Sequence, residues 1–160
     1  MEIWDIYDKN RTKTNRTHLR GTPLASGDYH IVVHVWIRNK KGEILLTKRH
    51  PDKPHPHLWE CPGGSILAGE NSLEGAIREV KEEIGITLSK SNGKLIKSER
   101  RDVCNDFCDI WLFNQSFEIT ETALQENEVI DIQWVTKSEL ESRYHSNYIV
   151  PTLSYFKLIF

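Results

Sequence analysis

The stretch Gly64–Ile86, GSILAGENSLEGAIREVKEEIGI, decides how the rest of the chain is read. At about 100° per residue, Leu73, Ile77, Val80 and Ile84 fall on one narrow apolar stripe, the face a globular helix buries. Asn71 stands as N-cap with Glu74 three residues on, the capping-box pattern, and Gly85 supplies the left-handed residue that stops a helix. The spacing therefore predicts a helix between Asn71 and Gly85. Its other face carries Glu79 and Glu83, one turn apart, with Glu82 three residues from Glu79. Like charges so close destabilise a helix, and Lys or Arg among them would have relieved the repulsion. A hard divalent cation turns that cost into a gain, because Mg²⁺ prefers oxygen ligands and keeps waters and substrate phosphates around it. A solvated acidic helix face is the plain alternative for a bare ExxEE.

Composition narrows the function classes. At 160 residues the chain is expected to form one domain with a single core, residues 1–160. With 38% hydrophobic and 28% charged residues it reads as a water-soluble protein. A net charge of −2 gives no basic field, so duplex nucleic acid is not an expected partner. No apolar run has the length of a membrane span, and MEIWDIYDKN lacks the features of a signal peptide, so the expected location is the cytoplasm. Cys61, Cys104 and Cys108 make neither a disulfide framework nor a zinc motif and read as free thiols in a reducing compartment.

Outward from the helix, the flanks read mostly as strands. Glu2–Asp8 alternates as a short strand, and Lys9–Arg20 reads as a polar, basic loop. Tyr29–Ile37, rich in β-branched and aromatic residues, predicts a core strand; Asn39–Gly42 is its hairpin turn and Glu43–Arg49 the return. His50–His57 holds three prolines and three histidines, and the proline punctuation speaks against a converging metal site there. Leu58–Cys61 reads as a short strand before Pro62-Gly63-Gly64, whose glycines let the backbone approach a ligand. Lys94–Val103 and Phe107–Phe117 form a second expected hairpin, and Glu128–Val135 another strand. Thr136 or Ser138 caps a short helix, and Pro151 opens a final one. Strands on both sides of one long helix, with helices at the end, predict an α+β fold: a mixed sheet between helices.

The spacing adds a resemblance. From Gly64 the run is Gly, five residues, Glu70, seven residues, then Arg78-Glu79-Val80-Lys81-Glu82-Glu83-Ile84-Gly85-Ile86. It resembles the Nudix box, G-x5-E-x7-R-E-U-x-E-E-x-G-U with U apolar, and fills every defined position. The resemblance implies an α/β/α sandwich and a pyrophosphohydrolase that splits a nucleoside diphosphate or triphosphate type of substrate, or another small diphosphate. It implies Mg²⁺, with Mn²⁺ as a substitute, and a homodimer at the family level. By motif position, Glu79 and Glu83 would be the principal metal ligands, and Glu82 a further ligand or the base that orients water. Glu70 and Arg78 would form a structural ion pair, and the Gly63–Gly64 backbone would offer the metal a carbonyl. Many family members add one carboxylate from a later loop; Glu126 and Glu128 are the candidates.

A second resemblance covers HIVVHVWIRNKKGEILLTKRHPDKPHPHLW, which is similar to type I isopentenyl diphosphate isomerase. It implies a metal-binding role for His30, which the residues around it mark instead as strand packing, and diphosphate contacts for Arg49 and Lys53. The isomerase's active-site cysteine would fall near Gly64, with Cys61 three positions early, and here the hydrolase box is intact. Both departures favour a hydrolase over an isomerase. A non-catalytic nucleotide-binding Nudix module is the third reading, and it gives no reason to keep carboxylates that repel. Trp4, Tyr29 and Trp59 are further candidates, for stacking on a base.

Overall fold

The core strand at Tyr29–Ile37 becomes the axis of the molecule. In a computed structural model that describes all 160 residues, it is β3 (His30–Arg38), the third of nine strands. In chain order the elements are β1 (Ile3–Tyr7), β2 (Lys13–Leu19), β3, β4 (Ile44–Arg49), β5 (Trp59–Glu60) and β6 (Gly63–Ser65). Then come α1 (Ser72–Ile84), β7 (Gly93–Arg101), β8 (Asp106–Asn114), β9 (Val129–Val135) and α2 (Lys137–His145).

Strand β3 runs parallel to β8 over its whole length, from His30 opposite Asp106 to Arg38 opposite Asn114. Strands β7 and β8 form the expected antiparallel hairpin, and β9 adds to the far edge of β4. The β3–β4 hairpin then splays. Only Arg38 and Ile44 pair directly, and the chain Trp59–Ser65 fills the wedge, β5 pairing with β4 and β6 with β3. This split positions the site, because it drives Glu60, Gly63 and Gly64 into the middle of the sheet.

The period of two along β3 separates two cores. Ile31, Val33, Val35 and Ile37 face α1 and pack with Ala76, Val80 and Ile84. Trp36 on the other face joins Leu46, Ile110 and Leu112 against Leu140 of α2 and Leu153, Phe156 and Ile159 of the C-terminal segment. Sheet between helical layers gives the expected α/β/α sandwich. No helix is long and apolar enough to cross a membrane.

Helix α1 ends as its sequence requires. The Asn71 side chain accepts from Glu74 N, the Glu74 carboxylate accepts from Asn71 N, and Gly85 closes the helix at φ 76°. Its buried face is shifted from the expected stripe: Val80 and Ile84 are fully covered, while Leu73 and Ile77 are half-buried and Gly75 and Ala76 are buried, Gly75 against Ile66. Three other expectations change. Lys9–Arg20 contains strand β2, paired with β1 as a separate two-stranded sheet. Its side chains are nearly all exposed, so it has no apolar alternation to read; cross-strand pairs such as Lys13–Asp5 and Trp4 opposite His18 hold it instead. Pro62-Gly63-Gly64, to which the sequence assigned no element, leads into strand β6 at Gly63–Ser65. The final helix is two short 3₁₀ turns, Pro151–Leu153 and Phe156–Ile159.

Candidate active site

Three segments converge on the C-terminal half of α1. Strand β6 passes beneath it: a Cβ built on Gly64 would lie 2.4 Å from the Glu79 carboxylate, so only glycine leaves that carboxylate where it is. The segment after residue 121 docks on the helix end, Ala123 N donating to Ile84 O and Gln125 N to Glu83 O, both at 2.9 Å. The 50–58 loop is tied to the same segment, His50 N donating to Glu128 O at 3.0 Å. Together they enclose a polar cavity of about 370 Å³ with no hydrophobic residue in its wall. Glu79, Glu82, Glu83 and Glu128 line it, along with Gly63 and Gly64; Arg49 and Lys53 face them. Glu126 is exposed and lies outside.

The carboxylates differ in environment. Arg78 grips Glu70 through Nε (2.6 Å) and Nη2 (3.1 Å), donates to Ser65 O (2.9 Å), and reaches Glu79 (3.0 Å) and Glu82 (3.1 Å) through Nη1. That one guanidinium therefore ties the loop before α1 to the carboxylates on it. Burial pushes Glu79 up to about 7; the charges of Glu82 and Glu2 add to this, and Arg78 opposes it. Glu83 is 6% exposed, and burial raises it well above the usual carboxylate range, with Glu60, Glu79 and Glu128 adding repulsion and only Lys53 opposing. These neighbours act on Glu83 by charge rather than by hydrogen bonds. Glu82 is half in solvent.

Such a donor set fits a hard divalent cation. Glu83 is buried without a hydrogen-bonded counterion, Glu79 is held over Gly64 by the lack of a side chain there, and a bound cation would return both to the ionised form. No three of these groups close on one point as a ready-made cage. Mg²⁺ does not need one, since it is held by one or two carboxylates with waters and substrate phosphates completing the octahedron.

The basic side of the cavity is braced. Arg49 Nη1 donates to both oxygens of Glu60 (2.8 and 2.6 Å) and its Nε to Pro54 O (2.6 Å). Lys53 bridges Glu128 and, at 3.9 Å, Glu60. Sequence reasoning missed Glu60, which is carried in by the strand split. It also missed Glu2 and Arg20, salt-bridged at 2.6 Å, which the β1–β2 sheet brings to the cavity mouth. Arg20 fell in a stretch read as a loop, and nothing local marks it.

The remaining candidates lie elsewhere. His30 is buried and stacked on Trp4, 3.9 Å between ring centres at 7°, and burial pushes its pKa down to about 4. His50, His55 and His57 come from a loop whose backbone turns through left-handed residues at His55 and His57, and no metal cluster forms there. Tyr29 packs on Phe107, and Trp59 is buried beneath Arg143; with Trp4, neither lines the carboxylate cavity. Cys61 is buried, and its thiol is pushed well up by burial; Cys104 is exposed.

Comparison with known proteins places this geometry. Residues 28–153 match the NUDIX domain family. An uncharacterised Nudix hydrolase of Listeria innocua is 42% identical over 153 residues, spanning 94% of this chain and 89% of that protein. A crystal structure from Deinococcus radiodurans superposes with a TM-score of 0.74 over 93% of this chain and 92% of that one, at 20% identity, a likeness of fold. MutT, from a study of the Aliivibrio salmonicida and Vibrio cholerae proteins, superposes with a TM-score of 0.64 at 27% identity, over 82% of this chain and 97% of that one. With the complete box running from β6 through α1 and a family match over most of its length, the chain belongs to the Nudix hydrolase family.

Proposed function

We propose that the protein hydrolyses a diphosphate linkage in a nucleoside diphosphate or triphosphate type of substrate, water attacking phosphorus, with Mg²⁺ (or Mn²⁺ in its place) bound by Glu79 and Glu83. The observation that carries this is one cavity lined both by the α1 carboxylates Glu79, Glu82 and Glu83 and by the basic side chains Arg20, Arg49 and Lys53. When bound, the metal neutralises phosphate charge and lowers the pKa of an attacking water.

The chain's own residues supply the rest. Glu79 and Glu83 bind through carboxylate oxygens, and the Gly63 carbonyl and Glu128 stand at the same cavity as further oxygen donors. Glu82, the most exposed of the three box glutamates, can hold a water and accept its proton. Glu70 and Arg78 hold the loop before α1 against the carboxylates. Arg49 and Lys53 give up part of their pairing to Glu60 and Glu128 when a diphosphate enters, and the bidentate geometry of Arg suits phosphate. A cytoplasmic, dimeric protein acting on a small nucleotide or other diphosphate is the setting this reading expects.

Release of product from a panel of nucleoside di- and triphosphates, ADP-ribose and isopentenyl diphosphate tests it, with Mg²⁺ and with chelator. The expected result is chelator-sensitive hydrolysis of at least one compound, lost by roughly 10²-fold or more in Glu79→Gln with the fold kept. Full activity in both Glu79→Gln and Glu82→Gln would sink the metal assignment. Isomer formed from isopentenyl diphosphate, with nothing hydrolysed, would move the protein to the isomerase class.

A further inference from the structure

A second cavity, of about 320 Å³, opens from the first across Gly63 and Gly64 and shares Arg20, Arg49 and Lys53 with it. Its far wall differs sharply. Arg101 and His34 stand there, with Thr152, the exposed Cys104 and the apolar Val150 and Leu153, and the cavity's only carboxylate is Glu60, which Arg49 holds. No Phe, Tyr or Trp lines either cavity, so neither offers the ring on which a nucleobase ordinarily stacks.

Both far-wall groups are fixed before any ligand arrives. Arg101 donates from Nε and Nη2 to the two oxygens of Asp106, each at 2.7 Å, and Asp106 is 4% exposed at the end of β8. That bidentate grip leaves Nη1 without a partner in the protein. His34 is set by a chain of hydrogen bonds. Trp36 Nε1, which can only donate, gives its proton to the Tyr155 hydroxyl at 3.0 Å. The hydroxyl proton then has one acceptor in reach, His34 Nδ1 at 2.7 Å. His34 therefore carries its own proton on Nε2, the ring atom with no protein partner. The far wall thus presents an arginine N–H and an imidazole N–H, one held by the buried Asp106 and the other by the half-buried Tyr155, and both are donors.

We propose that this cavity is a subsite for a phosphate monoester, with Arg101 and His34 as its binding residues and Asp106 and Tyr155 as their positioning residues, so that the preferred substrate carries a second phosphate on the group beyond its diphosphate. Fixed donors on a preorganised arginine suit the oxygens of a phosphate and leave an apolar or purely aromatic moiety with nothing to satisfy them. The ligand's being a substrate rests on the hydrolase reading; the subsite itself does not.

The test uses ribose 5-phosphate, with ribose as control, on the full chain in chelator, so that hydrolysis plays no part. Ribose 5-phosphate is expected to bind, to shift the ¹⁵N signal of His34 Nε2, and to leave that signal untouched when replaced by ribose. Arg101→Gln alone would strand the buried Asp106 charge, so the variant is Arg101→Gln with Asp106→Asn, which neutralises the pair together. Affinity should fall roughly 10- to 100-fold in that double variant, the weight of one charge-assisted hydrogen bond. His34→Gln is a second and independent variant, expected to weaken binding several-fold and carrying the test if the first does not fold. Equal affinity for ribose and ribose 5-phosphate, or unchanged affinity in the folded variants, would overturn the subsite. A protein that hydrolyses no diphosphate yet binds ribose 5-phosphate in this way would remove the hydrolase reading and keep the subsite.

Discussion

Gly64→Ala separates the site from the fold. Gly64 lies in β6, opposite Val33, where its backbone does not need glycine's conformational freedom. The three atoms nearest the new methyl group all belong to the Glu79 carboxylate, Cδ and Oε1 at 2.4 Å and Oε2 at 2.6 Å. An ordinary contact is about 3.5 to 4 Å, so the carboxylate must retreat by roughly 1 Å or more. It sits at the end of a flexible side chain, so the fold gives way cheaply; losing a glycine even removes some entropy from the unfolded chain, worth about 0.4–1 kcal/mol. Catalysis has no such latitude, since a misplacement of about 1 Å costs up to about 10²-fold. The assay pairs a thermal melt with steady-state turnover over a Mg²⁺ titration. Tm is expected within a few degrees of the parent, kcat/KM down by about 10- to 100-fold, and the Mg²⁺ requirement raised. Wild-type turnover at low Mg²⁺ would show that the Glu79 carboxylate does not have to stand over Gly64, and the reasoning would fail.

Three further outcomes follow from the same contacts. Gly63→Ala should behave oppositely to Gly64→Ala: its methyl would lie 2.2 Å from the Val33 carbonyl oxygen, a backbone atom that cannot retreat, so the β3–β6 pairing suffers and stability falls by about 1–3 kcal/mol in a urea melt. Gly85→Ala, at φ 76° and with its methyl 3.0 Å from Ala123, should cost about 1 kcal/mol or more and loosen the segment that carries Glu128, seen as faster amide exchange there. Glu79→Gln should stabilise the metal-free protein at pH 8 while ending its Mg²⁺ response. Glu79 has its folded pKa raised to about 7, so its contribution is present below the unfolded value of 4.5 and lost as pH rises through 7, a difference on the order of 2–3 kcal/mol. His30 and His34, lowered to about 4, act with the opposite sign below pH 6.5 and are common to both proteins, so the difference between the two melts isolates Glu79. Equal melting of the two at pH 8 would remove the burial argument.

Much of the fold was legible because hydrophobic periodicity and turn chemistry are local. The strands at His30–Arg38, Ile44–Arg49 and Val129–Val135, helix α1 with both its caps, and a cap for α2 at Thr136 or Ser138, of which Thr136 takes the place, all follow from residues within a few positions of one another. Strand β2 was not legible, because KTNRTHL buries almost nothing and owes its pairing to β1 alone. The last turns were misread because Pro151 marks a helical start but not its kind, and the buried Leu153, Phe156 and Ile159 recur every three residues, the 3₁₀ period.

The sequence by itself determined the chemistry of the box, since Glu79, Glu82 and Glu83 share a helix face by spacing alone and Glu70 and Arg78 sit within reach of one another across its first turns. Only the tertiary structure decided what surrounds those groups. The splaying of β3 and β4 admits Trp59–Ser65 and brings Glu60 against Arg49; the docked segment at 122–128 selects Glu128 over Glu126; and the β1–β2 sheet delivers Arg20. Arg101 and His34 come together from strands nearly seventy residues apart because β3 pairs with β8, and β7 in turn with β8. The physical reason is the range of the interactions. Helix and turn propensities act over about four residues and can be read along the chain, whereas pairing, burial and pKa depend on neighbours that only a folded chain supplies.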